Sequence, residues 1–306
     1  MFNIYTRELG SLFHPDIFCL SYADDSYVGI SCDQSDIEHK LEVLSNSASL
    51  HYNWLTRMRM VCNQTKTEFV VFDRYRRFQD LTLKIDNTII KSSSTIKVLG
   101  ITFQDNLKWS KQVNKAIAGA NAMFTPLKYI NRHLSRQQFK TAINAHYVSR
   151  LMFGSQLWSK SITNREKQRV CVNLNRMVRL IHKESMQKVI GADGKRRFKV
   201  SNREVYIRSA MCSFTSLATV ADCSLLFKFS TSFVDPLSER LMSQCHTSSR
   251  FPNKLVFFDY SLTRIGRSSF VNRSKYISEL IPFDWINLTV ESFKKKIKSS
   301  VPFFVP

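Results

Sequence analysis

The chain has 306 residues, 43% of them apolar, with only 8 Gly and 7 Pro; that is material for about two domains with real cores and excludes disordered, collagenous and low-complexity classes. Lys and Arg number 45 against 24 Asp and Glu, a net charge of +21 and a pI near 9.9. The surplus is uneven: residues 1–60 hold four basic and eight acidic side chains and the rest 41 and 16, so the body carries +25 and suggests a polyanionic partner such as nucleic acid, with a merely soluble basic protein as the alternative.

Further exclusions follow from the pattern. No stretch approaches the ~18 uncharged apolar residues of a membrane span. Arg7 and Glu8 stand where a secretion signal is apolar. Seven scattered cysteines (Cys19, Cys32, Cys62, Cys171, Cys212, Cys223 and Cys245) include no Cys-x-x-Cys pair, so neither a zinc knuckle nor a disulfide framework is written. The expectation is a soluble intracellular chain, in nucleus or cytoplasm, with buried thiols in a reducing compartment.

In chain order, Ile17–Leu20 and Tyr27–Ile30 are apolar runs flanking Tyr22-Ala23-Asp24-Asp25-Ser26, which predicts a hairpin over 16–31. Ile37, Leu41, Leu44, Ala48 and Leu55 recur at helical spacing behind Asp33, Asp36 and Glu38, predicting a helix of about 20 residues. Thr67–Phe72 reads as a strand, 81–91 as a hairpin around Asp86-Asn87, and Ile96–Phe103 as a further strand.

From Ser110 the pattern turns helical. Val113, Ile117, Phe124 and Leu127 mark one helix that Pro126 should bend or end. Ser135 with Gln138 opens a helix through about Trp158. Thr163 with Glu166 opens another, apolar at Val170, Leu174, Met177 and Ile181 and basic at Arg165, Lys167, Arg169, Arg176, Arg179 and Lys183. Gly191–Arg197 is a basic loop and the best domain boundary. Ser201 with Glu204 caps a further long helix, and Ser292–Lys298 is helical in a mixed C-terminal region. A β-rich first third followed by helices is α+β, and no internal repeat is visible.

Adjacent carboxylates at a hairpin tip repel unless something positive shares the site. A Mg²⁺ ion resolves that, since it binds through one or two carboxylates plus substrate phosphates. Taken alone, Asp24-Asp25 is more simply a polar β-turn. The surroundings change the balance. Behind an apolar strand, Tyr22-Ala23-Asp24-Asp25 resembles the metal-binding hairpin of reverse transcriptases. Asn63-Gln64-Thr65-Lys66-Thr67-Glu68 resembles the Asn-x-x-Lys-Thr-Glu segment of non-LTR (LINE-type) retrotransposon polymerases. At family spacing, Val98-Leu99-Gly100-Ile101 resembles their primer-grip strand and Asn106-Leu107-Lys108-Trp109 the entry to their thumb. Arg267-Ser268-Ser269-Phe270, Leu280-Ile281-Pro282 and Phe293-Lys294 are similar to the tail of jockey-like elements, without the Trp-Asn usual before Leu-Pro.

The resemblance implies a partial polymerase palm, antiparallel sheet plus helix, over 1–108, a helical thumb over 109–194, and a mostly helical C-terminal extension over 195–306. It implies RNA-directed DNA synthesis from deoxynucleotides, with an RNA template and DNA primer held as a hybrid between palm and thumb. Asp24 would be a Mg²⁺ ligand and Asp25 a weaker or supporting one, in a two-ion mechanism. Lys66 would approach the triphosphate as cation and acid. Tyr22 would pack beside the primer end, Leu99 and Gly100 would shape the primer-holding turn, and Arg165, Lys167, Arg169, Arg176 and Arg179 would meet phosphates. For each of these a plain structural role is the alternative: a solvated turn lysine for Lys66, a strand aromatic, a core leucine, a strand glycine, a solvated helix face. His246 after Cys245 has no partners at metal-ligand spacing, and Lys195-Arg196-Arg197 and Lys294-Lys295-Lys296 are low-specificity nuclear-localisation or nucleic-acid patches.

Met1–Thr6 resembles the end of the family's helix after its Gln-Gly loop. The family's fingers, its first palm strand with the other metal-binding aspartate, and the Gln-Gly segment are not among these residues. The expectation is therefore a polymerase remnant in which Asp24 and Asp25 hold Mg²⁺ weakly or not at all, inactive alone unless an upstream polypeptide completes it. A non-catalytic basic nucleic-acid-binding module is a second expectation, marked by steep salt dependence and indifference to Asp24→Ala. An unstable pseudogene product with an exposed sheet edge is a third.

Overall fold

The computed structural model describes residues 12–78, 80–191, 193–231, 245–248, 251–257, 277–278, 280–281 and 288–300. Arg267–Phe270, Pro282 and Met1–Thr6 lie outside them. The chain is mixed α+β, with small antiparallel sheets, and divides into two compact units, Met1–Leu107 and Lys108–Pro306.

In the first unit, β1 (Ile17–Tyr22) and β2 (Asp25–Ile30) form an antiparallel hairpin with Tyr22 opposite Asp25. The turn is therefore Ala23-Asp24 alone, and Asp25 opens a strand rather than lying in the connection. Helix α1 (Ile37–Arg57) buries Leu44, Ser47 and Trp54. The predicted stripe of Ile37, Leu41, Ala48 and Leu55 is half-buried beside them. Strands β3 (Thr82–Ile85) and β4 (Thr88–Lys91) pair around Asp86-Asn87. The Ser45 hydroxyl donates to the Lys84 carbonyl, and Asp86 N–H donates to Ser49 Oγ (3.0 Å), docking that hairpin on α1. Ile17, Leu44, Phe69 and Leu83 are the core.

Two sequence expectations change here. Ile96–Phe103 is not one strand but a hairpin, β5 (Thr95–Val98) and β6 (Ile101–Gln104), reversed at Leu99-Gly100. Thr67–Phe72 is not a strand: it contributes one parallel bridge, Phe69 with Ser92. Phe69 is buried there, and its carbonyl accepts from Ser93 N–H (2.7 Å).

In the second unit, α2 (Ser110–Asn121) and α3 (Phe124–Ile130) break at Ala122-Met123. This break lies where Pro126 interrupts the predicted helix, because its missing N–H and its ring exclude a bond to the carbonyl four residues back, at Ala122; within α3 it sits in the first turn and forfeits no bond. Helix α4 (Arg136–Ala142) starts at the Ser135–Gln138 capping box and continues through a π-helical stretch, Ile143–Val148, to Leu151. The expected continuous helix to Trp158 fails at Gly154, whose φ of 62° is left-handed; α5 (Ser155–Trp158) starts after it. Helix α6 (Asn164–Val178) carries the Thr163–Glu166 capping box and is followed by a short 3₁₀ turn, Arg179–Ile181.

Of the predicted basic loop, Arg196 and Arg197 lie in β8 (Arg196–Phe198), which pairs with β7 (Lys188–Ile190). The long helix expected after Ser201 is split: α7 (Asn202–Ser209) ends at Ala210, φ 48°, and α8 is Phe214–Thr231. Strands β9 (Cys245–Ser248) and β10 (Phe251–Phe257) pair, and α9 (Val290–Ser300) follows. The main core joins Val113, Phe139, Tyr147, Trp158, Leu174 and Phe214; a second cluster stacks Phe227 on Phe293 (centroids 4.3 Å apart). Among the described cysteines only Cys223 is fully buried and Cys32 is exposed, against the expectation of uniformly buried thiols. Among the described residues no single helix is long and apolar enough to cross a membrane.

Candidate nucleic-acid and carboxylate site

The β1–β2 hairpin turns in two residues. Ala23 has φ 52°, in the left-handed region that favours glycine. An alanine there costs about 1–2 kcal/mol of backbone strain. The turn places Asp24 at the tip and Asp25 at the first strand position beside it, both exposed. Alternation puts Phe18, Leu20 and Tyr22 on one face with their partners Gly29, Tyr27 and Asp25. On this open face Phe18, Leu20 and Tyr22 are 62%, 56% and 63% exposed. A Cβ at Gly29 would lie 2.3 Å from Phe18 Cζ, so glycine is what lets that ring cross the hairpin.

Tyr27 joins this hairpin to the Leu99-Gly100 turn. Its hydroxyl donates to Asp25 Oδ2 (3.1 Å) and accepts from Leu99 N–H (3.3 Å). Burial, the largest cause, and the bond to Asp25 both push the Tyr27 phenol up from its ordinary pKa. Leu99 and Gly100 both have positive φ, 47° and 86°, as an I′ turn requires. Leu99 is neither a core residue nor within a strand: it is 42% exposed at a turn tip. Tyr27 went unnoticed in the sequence as an ordinary strand aromatic. Its position two residues after Asp25, and so on the same face, was the available signal.

Lys66 ends a 3₁₀ turn, Gln64–Lys66, and is exposed. Asn63 Oδ1 accepts from the Thr65 hydroxyl (2.7 Å) and N–H (3.2 Å), while its carbonyl accepts from Lys66 N–H (3.0 Å) and the Thr67 hydroxyl (3.3 Å). The Asn-x-x-Lys-Thr spacing is thus a self-capped turn. Glu68 then accepts from Lys97 N–H (3.5 Å) on β5.

On α6, Arg165, Arg169, Val172 and Arg176 follow at i, i+4, i+7 and i+11, and all are exposed: one basic stripe. Arg169 donates to Asn114 (2.8 Å), and the Arg176 guanidinium lies 3.9 Å from the Phe124 ring centre. Lys167 is half-buried on the other side of the helix. Arg179 is a correction. At 3% exposure it donates to the Ser185 carbonyl (2.7 Å), the Val200 carbonyl (3.0 Å) and Asn202 Oδ1 (2.7 Å), and it covers the Phe198 ring at 4.0 Å. Burial lowers its pKa. Its guanidinium staples the chain after α6 to the segment before α7 and is not available to phosphate.

The donors at the first hairpin are two hard carboxylates, open to solvent, with one Asp25 oxygen already accepting from Tyr27. Such a set suits Mg²⁺, which binds few protein ligands and keeps waters and phosphates for the rest. Among the described residues, no group of three or more His, Cys, Asp or Glu side chains converges to hold a metal ion. No known family model, curated protein or solved structure matches the chain.

Proposed function

We propose that the chain is the palm-and-thumb portion of an RNA-directed DNA polymerase of the non-LTR retrotransposon type, acting inside the cell on an RNA template and a DNA primer. The observation that carries this reading is the Tyr22-Ala23-Asp24-Asp25 hairpin, its two carboxylates exposed and one of them tied through Tyr27 to the Leu99-Gly100 turn. In such a site Asp24 and Asp25 would hold Mg²⁺, and Tyr27 orients the Asp25 carboxylate through its bond to Oδ2. When bound, Mg²⁺ supplies charge neutralisation to the attacking 3′-hydroxyl and the departing pyrophosphate. Lys66, on its rigid turn, offers an ammonium to the triphosphate. Tyr22 gives the primer end an apolar surface, and Leu99-Gly100 the turn on which the primer rests. Arg165, Arg169 and Arg176 meet the backbone of the hybrid.

In the polymerases that this chain resembles, a second strand supplies another catalytic carboxylate and separate fingers hold the template. We take these from a polypeptide outside residues 1–306, so residues 1–306 alone bind hybrid without extending it. The α6 stripe also supports the second reading, a binding module without chemistry, and one experiment separates the two. Binding of residues 1–306 to a primed RNA–DNA hybrid is measured at fixed ionic strength with and without Mg²⁺. The polymerase reading expects millimolar Mg²⁺ to tighten the complex modestly, and Asp24→Ala or Asp25→Ala to abolish that gain. Mg²⁺-independent binding, unchanged in Asp24→Ala, leaves the binding module. Processive cDNA synthesis by residues 1–306 alone overturns the requirement for a completing polypeptide.

A further inference from the structure

The β7–β8 ribbon has no place in the polymerase reading, and its construction is unusual for a structural element. Its register pairs Lys188 with Phe198, Val189 with Arg197 and Ile190 with Arg196. All six residues are exposed, so both faces of the ribbon meet solvent. From Lys188 to Lys199 it carries five cations against one carboxylate, Asp193. Asp193 pairs with Arg197 (2.6 Å) and accepts from Lys195 N–H (3.3 Å), so it shapes the connection, whose Gly191 N–H donates to the Lys195 carbonyl (2.9 Å). Lys195, Arg196 and Lys199 have no carboxylate partner among the described residues. Ile190 is 69% exposed at the far end of β7.

Burying neither face, a three-residue hairpin has little reason to hold its shape by itself. Arg179 supplies the reason. Its buried guanidinium holds the Ser185 and Val200 carbonyls on either side of the ribbon and packs on Phe198. The base is thus tied down, and the side chains of Lys188, Lys195, Arg196 and Arg197 are exposed.

We propose that this ribbon is a second nucleic-acid contact, inserted into the major groove of B-form DNA. Two strands about 4.8 Å apart with their side chains fit a groove about 12 Å wide. The deep, narrow major groove of A-form RNA or hybrid does not admit them. Single strands are disfavoured too. Binding them relies on aromatic faces for base stacking, and the Phe198 ring is covered by Arg179 at 4.0 Å and approached by Lys188 at 5.2 Å. Charge drives the contact, and Ile190 at the tip adds apolar contact with thymine methyls.

The proposal does not depend on the polymerase reading, and Asp24→Ala serves as a control that leaves the ribbon's contribution intact. The test uses the full chain and a variant with Lys188, Lys195, Arg196, Arg197 and Lys199 each changed to Gln, titrated with salt against a B-DNA duplex, the matching single strand and an RNA duplex. Each phosphate contact contributes about 0.9 to the slope of log K against log salt, so the B-DNA slope is expected to flatten by about 3 or more. The single strand and RNA duplex are expected to change by less than half as much. Ile190→Ser keeps every charge and every Arg179 bond. It is expected to weaken B-DNA binding roughly fivefold, as partial uncovering of an isoleucine should, with the slope unchanged. An unchanged slope in the five-site variant overturns the proposal. So does an equal loss on all three ligands, or loss of nuclear import-receptor binding with DNA binding intact.

Discussion

Tyr27 and Arg179 show how one side chain can link segments far apart in sequence. Arg179 sits in a row of basic residues and nothing local distinguishes it from Arg176, yet burial and three oxygen partners make it structural. Tyr27 does the converse, giving a long-range link to a residue that looks ordinary: its hydroxyl is shared by Asp25 and the Leu99 amide. An N–H at the tip of a two-residue turn has no ladder partner, so Tyr27 is what it bonds. Tyr27→Phe keeps the ring and removes both bonds. The expected result is faster hydrogen exchange at the Leu99 amide and a stability loss of about 0.5–1.5 kcal/mol. Mn²⁺ binding at Asp24-Asp25, followed by paramagnetic relaxation, should also change, which a merely structural hydroxyl would not cause. Unaltered Leu99 exchange would show that the two hairpins are not joined through Tyr27.

Among the elements, the legible ones are those whose ends are written locally. The Thr163 and Ser135 boxes form as their spacing dictates. Glu166 accepts from Thr163 N–H (2.8 Å) while Thr163 Oγ1 accepts from Glu166 N–H (3.3 Å). Helix α6 buries Val170, Leu174 and Met177 on the stripe that the pattern assigned to them. Less legible are elements ended by tertiary fit. Gly154 and Ala210 take left-handed conformations inside runs that read as continuous helix, and Leu99-Gly100 reverses a run that reads as one strand. A leucine at φ 47° is no turn signal by composition. At the carboxylate site the hairpin and its Asp pair could be read from sequence, whereas the Tyr27 bridge could not, because it joins residues 72 apart. The capping boxes make a direct test. Thr163→Ala leaves the Glu166 N–H at the start of α6 without its partner and should lower stability by about 1 kcal/mol in urea unfolding. Thr163→Ser, which retains the hydroxyl, should restore most of it; no loss in the alanine variant would mean that the α6 start is held by packing alone.

At the scale of the whole molecule, the chain holds two units with separate cores, one around Ile17, Leu44, Phe69 and Leu83 and one around Phe139, Tyr147, Leu174 and Trp158. Their responses to pH should differ, and Asp73 in the first unit is the reason. Arg77 donates to both Asp73 oxygens through its guanidinium (3.1 Å), and its N–H and that of Tyr75 donate as well. These bonds, those from the Arg77 side chain foremost, hold the Asp73 carboxyl at about 2. The unfolded carboxyl titrates in the ordinary range near 4, so the unfolded unit binds the proton first. The stability gained is complete above that range and is lost as pH falls from about 4 toward 2. Calorimetry of the full chain should therefore resolve two cooperative transitions, one of which declines across this window. Asp73→Asn should lower that transition at neutral pH, flatten its decline between pH 4 and 2, and leave the other in place. Noncooperative melting would instead support an unstable product, and a variant that shifts both transitions equally would show that the two cores unfold as one.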